Sequence, residues 1–291
     1  MVTMERHTKS YLRLIKPGIV LSNTIATVAG FLLASRWLGF DVWVGVGVTG
    51  GVALIIASAC VINNMLDRHI DARMKRTKER GLPAGTISLR AATLYAVVLG
   101  AAGFWLLYAL TNQLTVWLGV IAYVWYVAIY GAAKRTTPLS TIIGAVCGAL
   151  PPMAGYTAMA GQVDAAAWVL FWVLMVWQLP HFYAIAVFRE NDYRNAGIPV
   201  WPVVLGAEDT KAQIMFWTVI FALVAPLLTV VGVAGGWYFA IAEALALYWV
   251  WQGAINYKRE SAERWARRMF GISLLVLLVL CAAIAVGAYL P

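Results

Sequence analysis

Asn63, Asp67 and Asp71 stand at steps of four within residues 60–85, which read CVINNMLDRHIDARMKRTKERGLPAG. On an α-helix, steps of four keep side chains on one face. One carboxamide and two carboxylates therefore point the same way. A basic run follows: Arg73, Lys75, Arg76, Lys78 and Arg80. Hard oxygen donors of this kind suit Mg2+, which takes one or two carboxylates together with substrate phosphates and water. Neighbouring ammonium and guanidinium groups take the phosphate charge that remains. The bland alternative is a solvated helix end, with local salt bridges between Asp67 and the bases around Lys75. Against it stands the apolar run that reaches Ile62 and enters this stretch without a proline or glycine break. Asn63 lies at membrane depth, where polar groups are costly and mark function.

A second acidic stretch is Phe188-Arg189-Glu190-Asn191-Asp192-Tyr193-Arg194. Glu190 and Asp192 are two apart and do not share a helical face. Asp192 is the better candidate for an inward carboxylate and a second Mg2+, because Ala196-Gly197-Ile198-Pro199 follows it; an ordinary charged loop is the alternative. His181 lies one and a half to three turns further into the same apolar span, after Pro180, which should kink the helix and free a carbonyl. It reads as an interhelical hydrogen bonder, a general base, or a ligand to a metal or to haem iron. Asn23, two turns into the first apolar span, faces either the same cavity or a neighbouring helix. Cys60, Cys147 and Cys281 sit singly in apolar spans, with neither metal spacing nor a disulfide partner, and read as small buried hydrophobes.

The elements that hold these residues are membrane helices. The chain is 62% hydrophobic and 12% charged, against about 25% charged residues in soluble domains. Apolar segments fall at roughly 17–36, 42–64, 89–110, 114–131, 139–159, 165–187, 212–232, 237–256 and 269–290. They are too long for barrel strands and do not alternate. The expected fold is all-α, a polytopic membrane protein of nine transmembrane helices around a central cavity, in a single domain over residues 1–291. Two parallel repeats, about 17–131 and 139–256, are suggested by the base-then-proline openings at Lys16-Pro17 and at Arg135 to Pro138. The polar, basic stretch before Pro17 reads as lacking a cleavable signal peptide.

The net charge of +9 does not imply nucleic acid, because the basic residues gather at one side. Arg6, Lys9, Arg13 and Lys16 precede the first span. Arg68, Arg73, Lys75, Arg76, Lys78, Arg80 and Arg90 lie at the second-to-third connection. Lys134 and Arg135, then Arg189, Arg194 and Lys211, then Lys258, Arg259, Arg264, Arg267 and Arg268 lie at the later even-to-odd connections. Only Arg36 of the 22 bases falls opposite. Positive charge marks the cytoplasmic side, so the N-terminus is expected in the cytoplasm and the C-terminus across the cell (inner) membrane. Trp37, Trp43, Trp117, Trp168 and Trp237 fall near the outer span ends, where amphipathic rings belong.

The stretch from Asn63 to Gly85, the segment Tyr130 to Tyr156 with Pro151-Pro152-Met153-Ala154-Gly155, and the segment Trp177 to Gly206 with Pro180-His181-Phe182-Tyr183 and Ile198-Pro199-Val200 resemble the haem-farnesylating branch of the UbiA superfamily of intramembrane prenyltransferases. The resemblance runs from about Lys16 to the last span. It implies Mg2+-dependent transfer of a prenyl group from farnesyl diphosphate to haem B in a cavity open sideways to the lipid bilayer, and it suggests a haem A synthase or a terminal oxidase as protein partner. By position it implies a metal set of Asn63, Asp67, Asp71 and Asp192. Asp67, Asp71, Asp192 and His181 become the catalytic candidates. The substrate-binding candidates are Asn23, Asn63, Arg73, Lys75, Arg76, Arg80, Lys134, Arg135, Arg189 and Tyr183. The superfamily's second motif usually has two acids four apart; here position 188 is Phe, and only Asp192 matches. Two other readings remain: a sister enzyme acting on a quinone precursor or other ring, and a transporter with embedded acids.

Overall fold

The protein is described by a computed structural model covering residues 10–287. Arg6 and Lys9, two of the N-terminal bases, lie outside the described residues. All regular structure described is helical. Nine long segments run α1 Pro17–Leu38, α2 Val42–Leu66, α3 Leu89–Leu110, α4 Gln113–Thr136, α5 Ser140–Ala160, α6 Ala165–Phe188, α7 Ala207–Val230, α8 Gly236–Asn256 and α9 Ala262–Gly287. Eight of them are long and apolar enough to cross a membrane, rather than the nine expected. The exception is α8, whose 21 residues include Trp237, Tyr238, Tyr248, Trp249 and Trp251. Those amphipathic rings lower its apolar character without shortening it, and about 1.5 Å per residue still makes it long enough to span.

The helix starts follow local chemistry. Pro17 opens α1, where a missing N–H costs nothing. Asp41, Ser88, Asn112 and Asp164 cap α2, α3, α4 and α6 by accepting backbone N–H bonds. Two stretches depart from plain helix and loop. Within α4, residues Trp125–Tyr130 form a π-helical turn, a register shift that often marks functional sites. The long connection between α6 and α7 is not a loose loop but holds two short helices, Glu190–Ala196 and Trp201–Leu205.

Helices α1 and α5 pack backbone to backbone. A Cβ on Gly30 would stand 2.0 Å from the Pro152 carbonyl oxygen, and one on Gly155 would stand 2.0 Å from that of Thr27. Small residues are how membrane helices come this close. Helix α6 continues through Pro180, as α5 does through Pro151 and Pro152. It is the most enclosed span and packs on α5, α7 and α9. The five tryptophans assigned to outer span ends are all exposed on the bundle surface.

Candidate active site

The carboxylate face forms where α2 ends. Backbone bonds run from Asp67 N–H to the Asn63 carbonyl at 2.9 Å and from Asp71 N–H to the Asp67 carbonyl at 2.8 Å. The helical spacing therefore carries past the cap at Asp67 into the short helix Arg68–Asp71. Asn63, Asp67 and Asp71 are all buried.

Each is met by a cation from another part of the chain. Lys134 Nζ donates to Asp67 Oδ2 at 2.5 Å, and Arg135 donates to Asp67 Oδ1 at 3.2 Å and to the Leu66 carbonyl at 2.9 Å. Arg80 donates to Asp71 Oδ2 at 3.0 Å. Lys16 Nζ donates to Asn63 Oδ1 at 2.7 Å. Burial pulls the carboxyl of Asp67 up, but the Lys134 charge and the bonds from Lys134 and Arg135 outweigh it and hold the group below its usual range. Burial pushes the Lys16 ammonium down to about 8. Lys16 is also the only non-glycine residue with positive φ among those described, at 52°. A left-handed backbone of this kind is costly for such a residue and concentrates at functional sites.

The bases that reach the carboxylates are thus not the nearest in sequence. Arg73, Lys75 and Arg76 are exposed. In the turns after Asp71, Met74 and Thr77 take the inward positions, with Thr77 Oγ1 donating to the Asp71 carbonyl at 2.8 Å. That leaves the intervening bases facing outward. Lys16 was not among the site candidates expected from sequence. Its signal was present in the paired openings: the bases before α1 and before α5 are the ones that fold back onto Asn63 and Asp67.

Beneath the carboxylates, Tyr126 and Tyr130 stack with ring centroids 5.5 Å apart. Gly144 leaves room for the Tyr130 ring, and Cys60 lies against Tyr126. Both tyrosines, Cys147 and Lys16 are deep in the bundle yet keep accessible surface. Two cavities lie elsewhere. One of about 350 Å³, at the opposite end of the bundle, is lined by Trp37, Tyr156 and Gln162. One of about 240 Å³ is lined by Phe188, Glu190 and Glu263. Neither borders Asp67 or Asp71.

The second acidic stretch is brought to the first. Met74 is buried with Ala186, Ala196, Ile198 and Val200, and Ile70 and Tyr193 pack on that cluster. Tyr193 lies near Tyr130, Lys134, Arg76 and Asp192, and burial raises its hydroxyl's pKa. Asp192 itself is half-buried and makes no hydrogen bond or ion pair among the described residues. Glu190 is taken by Arg194. Phe188 turns to α9, edge-on to Phe270 at 5.5 Å and beneath Arg267 at 4.8 Å. Asp192 thus stands as a single carboxylate. The Arg189 guanidinium lies over Phe188, away from Asp67.

His181 is clamped on the α9 side. Its ring lies 4.9 Å from Trp177 and from Phe270, and Nδ1 is 2.7 Å from Ser273 Oγ. The Ser273 hydroxyl spends its one proton on the Phe270 carbonyl at 2.6 Å, so it accepts from His181. The imidazole proton is on Nδ1, and Nε2 carries the free lone pair. Asn23 donates to the Ile19 carbonyl in its own helix. Tyr183 is fully buried against Trp201, its hydroxyl without a partner. His181, Asn23 and Tyr183 are thus not drawn into the carboxylate cluster.

No group of three or more His, Cys, Asp or Glu side chains able to hold a metal occurs among the described residues. Two carboxylates and an amide oxygen leave most of a coordination shell to water and substrate oxygens. Such a donor set suits Mg2+ better than a metal caged wholly by protein.

The UbiA prenyltransferase family matches residues 23–288. The chain belongs to that family. Relatives named protoheme IX farnesyltransferase align almost end to end. The one from Salmonella arizonae is 42% identical over 284 residues, 97% of this chain and 96% of its own. That from Pectobacterium atrosepticum is 41% identical over 285 residues, with the same coverage. Among solved structures, a digeranylgeranylglyceryl phosphate synthase superposes with a TM-score of 0.78 at 20% identity, covering 97% of this chain and 98% of its own. A UbiA homologue from Archaeoglobus fulgidus bound to DMAPP and Mg2+ gives 0.67 at 20% identity, covering 95% and 99%. At these identities the structural likeness is one of fold, and the UbiA fold is what the nine helices build.

Proposed function

We propose that this UbiA protein transfers the farnesyl group of farnesyl diphosphate to a vinyl group of haem B, with addition of water, giving haem O and diphosphate. The observation that carries this reading is identity of 41–42%, almost end to end, to relatives named for that reaction. The site geometry supports it, since two buried carboxylates and four converging cations beside the stacked Tyr126 and Tyr130 fit a metal-bound diphosphate with an apolar chain. The Archaeoglobus fulgidus homologue solved with DMAPP and Mg2+ supports the same pairing.

Asn63, Asp67 and Asp71 would hold Mg2+, which supplies positive charge against the leaving diphosphate. Lys134, Arg135, Arg80 and Lys16 are released from the carboxylates and amide as the diphosphate arrives, and turn to its oxygens. The farnesyl C1–O bond breaks with its electron pair passing to the diphosphate, where those cations stabilise the growing charge. The terminal vinyl carbon of haem attacks the allylic C1, and the new C–C bond moves the positive charge to the vinyl carbon attached to the porphyrin. Water adds there and loses a proton, leaving a hydroxyethylfarnesyl group. The walls around Tyr126, Tyr130, Cys60 and Cys147 keep bulk water from the allylic cation before the vinyl group reaches it. His181 offers a substrate only Nε2, because Ser273 holds Nδ1.

Purified protein given haem B, farnesyl diphosphate and Mg2+ should yield, by mass spectrometry, haem carrying one farnesyl group plus one water, and none with EDTA. Unchanged haem from folded protein, with prenylation of a quinone precursor, would move the reading to the sister chemistry. The acidic end is assigned to the cytoplasm from the 21 bases on that side. Single cysteines introduced at Lys75 and at Gln162, in a background without native cysteines, should react with a membrane-impermeant maleimide from opposite faces. Labelling of position 75 from outside intact cells would reverse the orientation.

A further inference from the structure

We propose that Asn64 is a positioning residue that sets both Arg80 and the Lys16 segment around the carboxylates; the inference rests on the diphosphate-transfer reading of the site. Asn64 is 1% exposed at the end of α2 and uses both halves of its carboxamide. Nδ2 donates to the Leu14 carbonyl at 2.8 Å, and Oδ1 accepts from Arg80 at 3.3 Å. The partners force this orientation, because a carbonyl only accepts and a guanidinium only donates. The same Arg80 nitrogen donates to Asp71 Oδ2 at 3.0 Å.

The two strands joined here each deliver a cation. Leu14 is 1% exposed and packs with Val61, Leu82 and Ile87, and Tyr11 meets Tyr95 edge-on at 5.4 Å. Two residues beyond Leu14, the left-handed turn at Lys16 sends its ammonium to Asn63. Arg80 comes from the turns that follow Asp71. Lys16 caps the start of α1 and the residues before it, 10–14, are a short helix, whereas Arg80 lies in turns outside any long helix. Asn63 and Asn64 are adjacent on α2, so the helix itself fixes where the two cations sit relative to each other and to Asp71. A carboxamide donates from one terminal atom and accepts at the other, so it can hold both segments at once. An aspartate at 64 would face the Leu14 carbonyl with no proton to offer and would draw Arg80 away from Asp71. Pre-placed cations bind a diphosphate without first being ordered, so loss of the link should weaken diphosphate binding and leave haem binding unchanged.

The test uses the full chain in detergent, with inorganic pyrophosphate plus Mg2+ as a probe that needs no acceptor. Asn64→Asp and Asn64→Ala should bind pyrophosphate about tenfold more weakly than wild type, the loss of one or two oriented charge-assisted bonds. In turnover, KM for farnesyl diphosphate should rise by about the same factor, with KM for haem unchanged. A purely structural Asn64 would lower the thermal midpoint and the yield of folded protein while leaving both pyrophosphate affinity and KM of the folded fraction within twofold of wild type. That outcome would overturn the proposal. The alanine variant keeps the test open should the buried aspartate prevent folding. Normal pyrophosphate binding by a wild type that leaves haem unmodified would count against the haem reading and not against Asn64.

Discussion

Asp67→Asn should lower kcat/KM for prenyl transfer by about 10²–10³-fold while leaving the protein folded. Three consequences meet at this one side chain. A negative charge that would bind Mg2+ is lost, and an amide oxygen is a weaker donor for a hard cation. Lys134 and Arg135 lose the carboxylate that now holds them at 2.5 and 3.2 Å. Lys134, with a side chain 17% exposed, is then left without its anion, while solvent eases the loss for Arg135, at 43%. Removing one member of a buried charged set typically costs more than the set contributes, because the charge left behind is uncompensated. The near-identical shape of asparagine limits the damage to electrostatics, so helicity and oligomeric behaviour should match wild type. The check is haem O yield against enzyme concentration, with circular dichroism in parallel. Activity within tenfold of wild type would remove Asp67 from the metal site. Arg73→Gln makes the control: its side chain is exposed and meets neither carboxylate, so its effect should stay within a few-fold.

Gly155→Val should abolish accumulation of folded protein. The first carbon added at Gly155 would lie 2.0 Å from the Thr27 carbonyl oxygen, and 2.9 Å from the Phe31 backbone nitrogen. Both atoms belong to the α1 backbone, so no side-chain rotation relieves the overlap. Overpacking of a well-filled contact ordinarily costs about 1–3 kcal/mol where side chains can shift. Here helix α1 would have to leave α5, taking with it the aligned contact of Gly30 with the Pro152 carbonyl. Loss of α1 also withdraws Lys16 from Asn63. Gly18→Ala, on the same helix, meets nothing within 4 Å and should be tolerated. Size-exclusion profiles of the two variants in mild detergent provide the comparison, and a monodisperse, heat-stable Gly155→Val protein would refute the account of the contact.

Residue order alone carried the span positions, because about 20 apolar residues and caps such as Asp41, Ser88 and Asp164 are local properties of the chain. It also carried the face shared by Asn63, Asp67 and Asp71, since four residues make slightly more than one helical turn and the spacing survives the end of α2. The π-turn at Trp125–Tyr130 was not legible, because its extra residue per turn is set by packing, as where Trp125 Nε1 reaches the Ile143 carbonyl at 2.7 Å. The cations were legible in part: the resemblance points to Arg80, Lys134 and Arg135 among its substrate-binding candidates, but not to Lys16. Proximity in sequence favoured Arg73, Lys75 and Arg76, yet their segment is turns, whose inward positions went to Met74 and Thr77. Asn63 is met instead by Lys16 and Asp67 by Lys134 and Arg135, which lie 47 to 68 residues from their partners, and Asp71 is met by Arg80. Partnership over such separations depends on how whole helices pack. Close backbone contact at Gly30 and Gly155 seats α1 against α5, and Tyr193 and Met74 hold the second acidic stretch against the first. The spacing of side chains along one helix follows from its pitch, whereas which charges face one another across helices is decided only when the bundle closes.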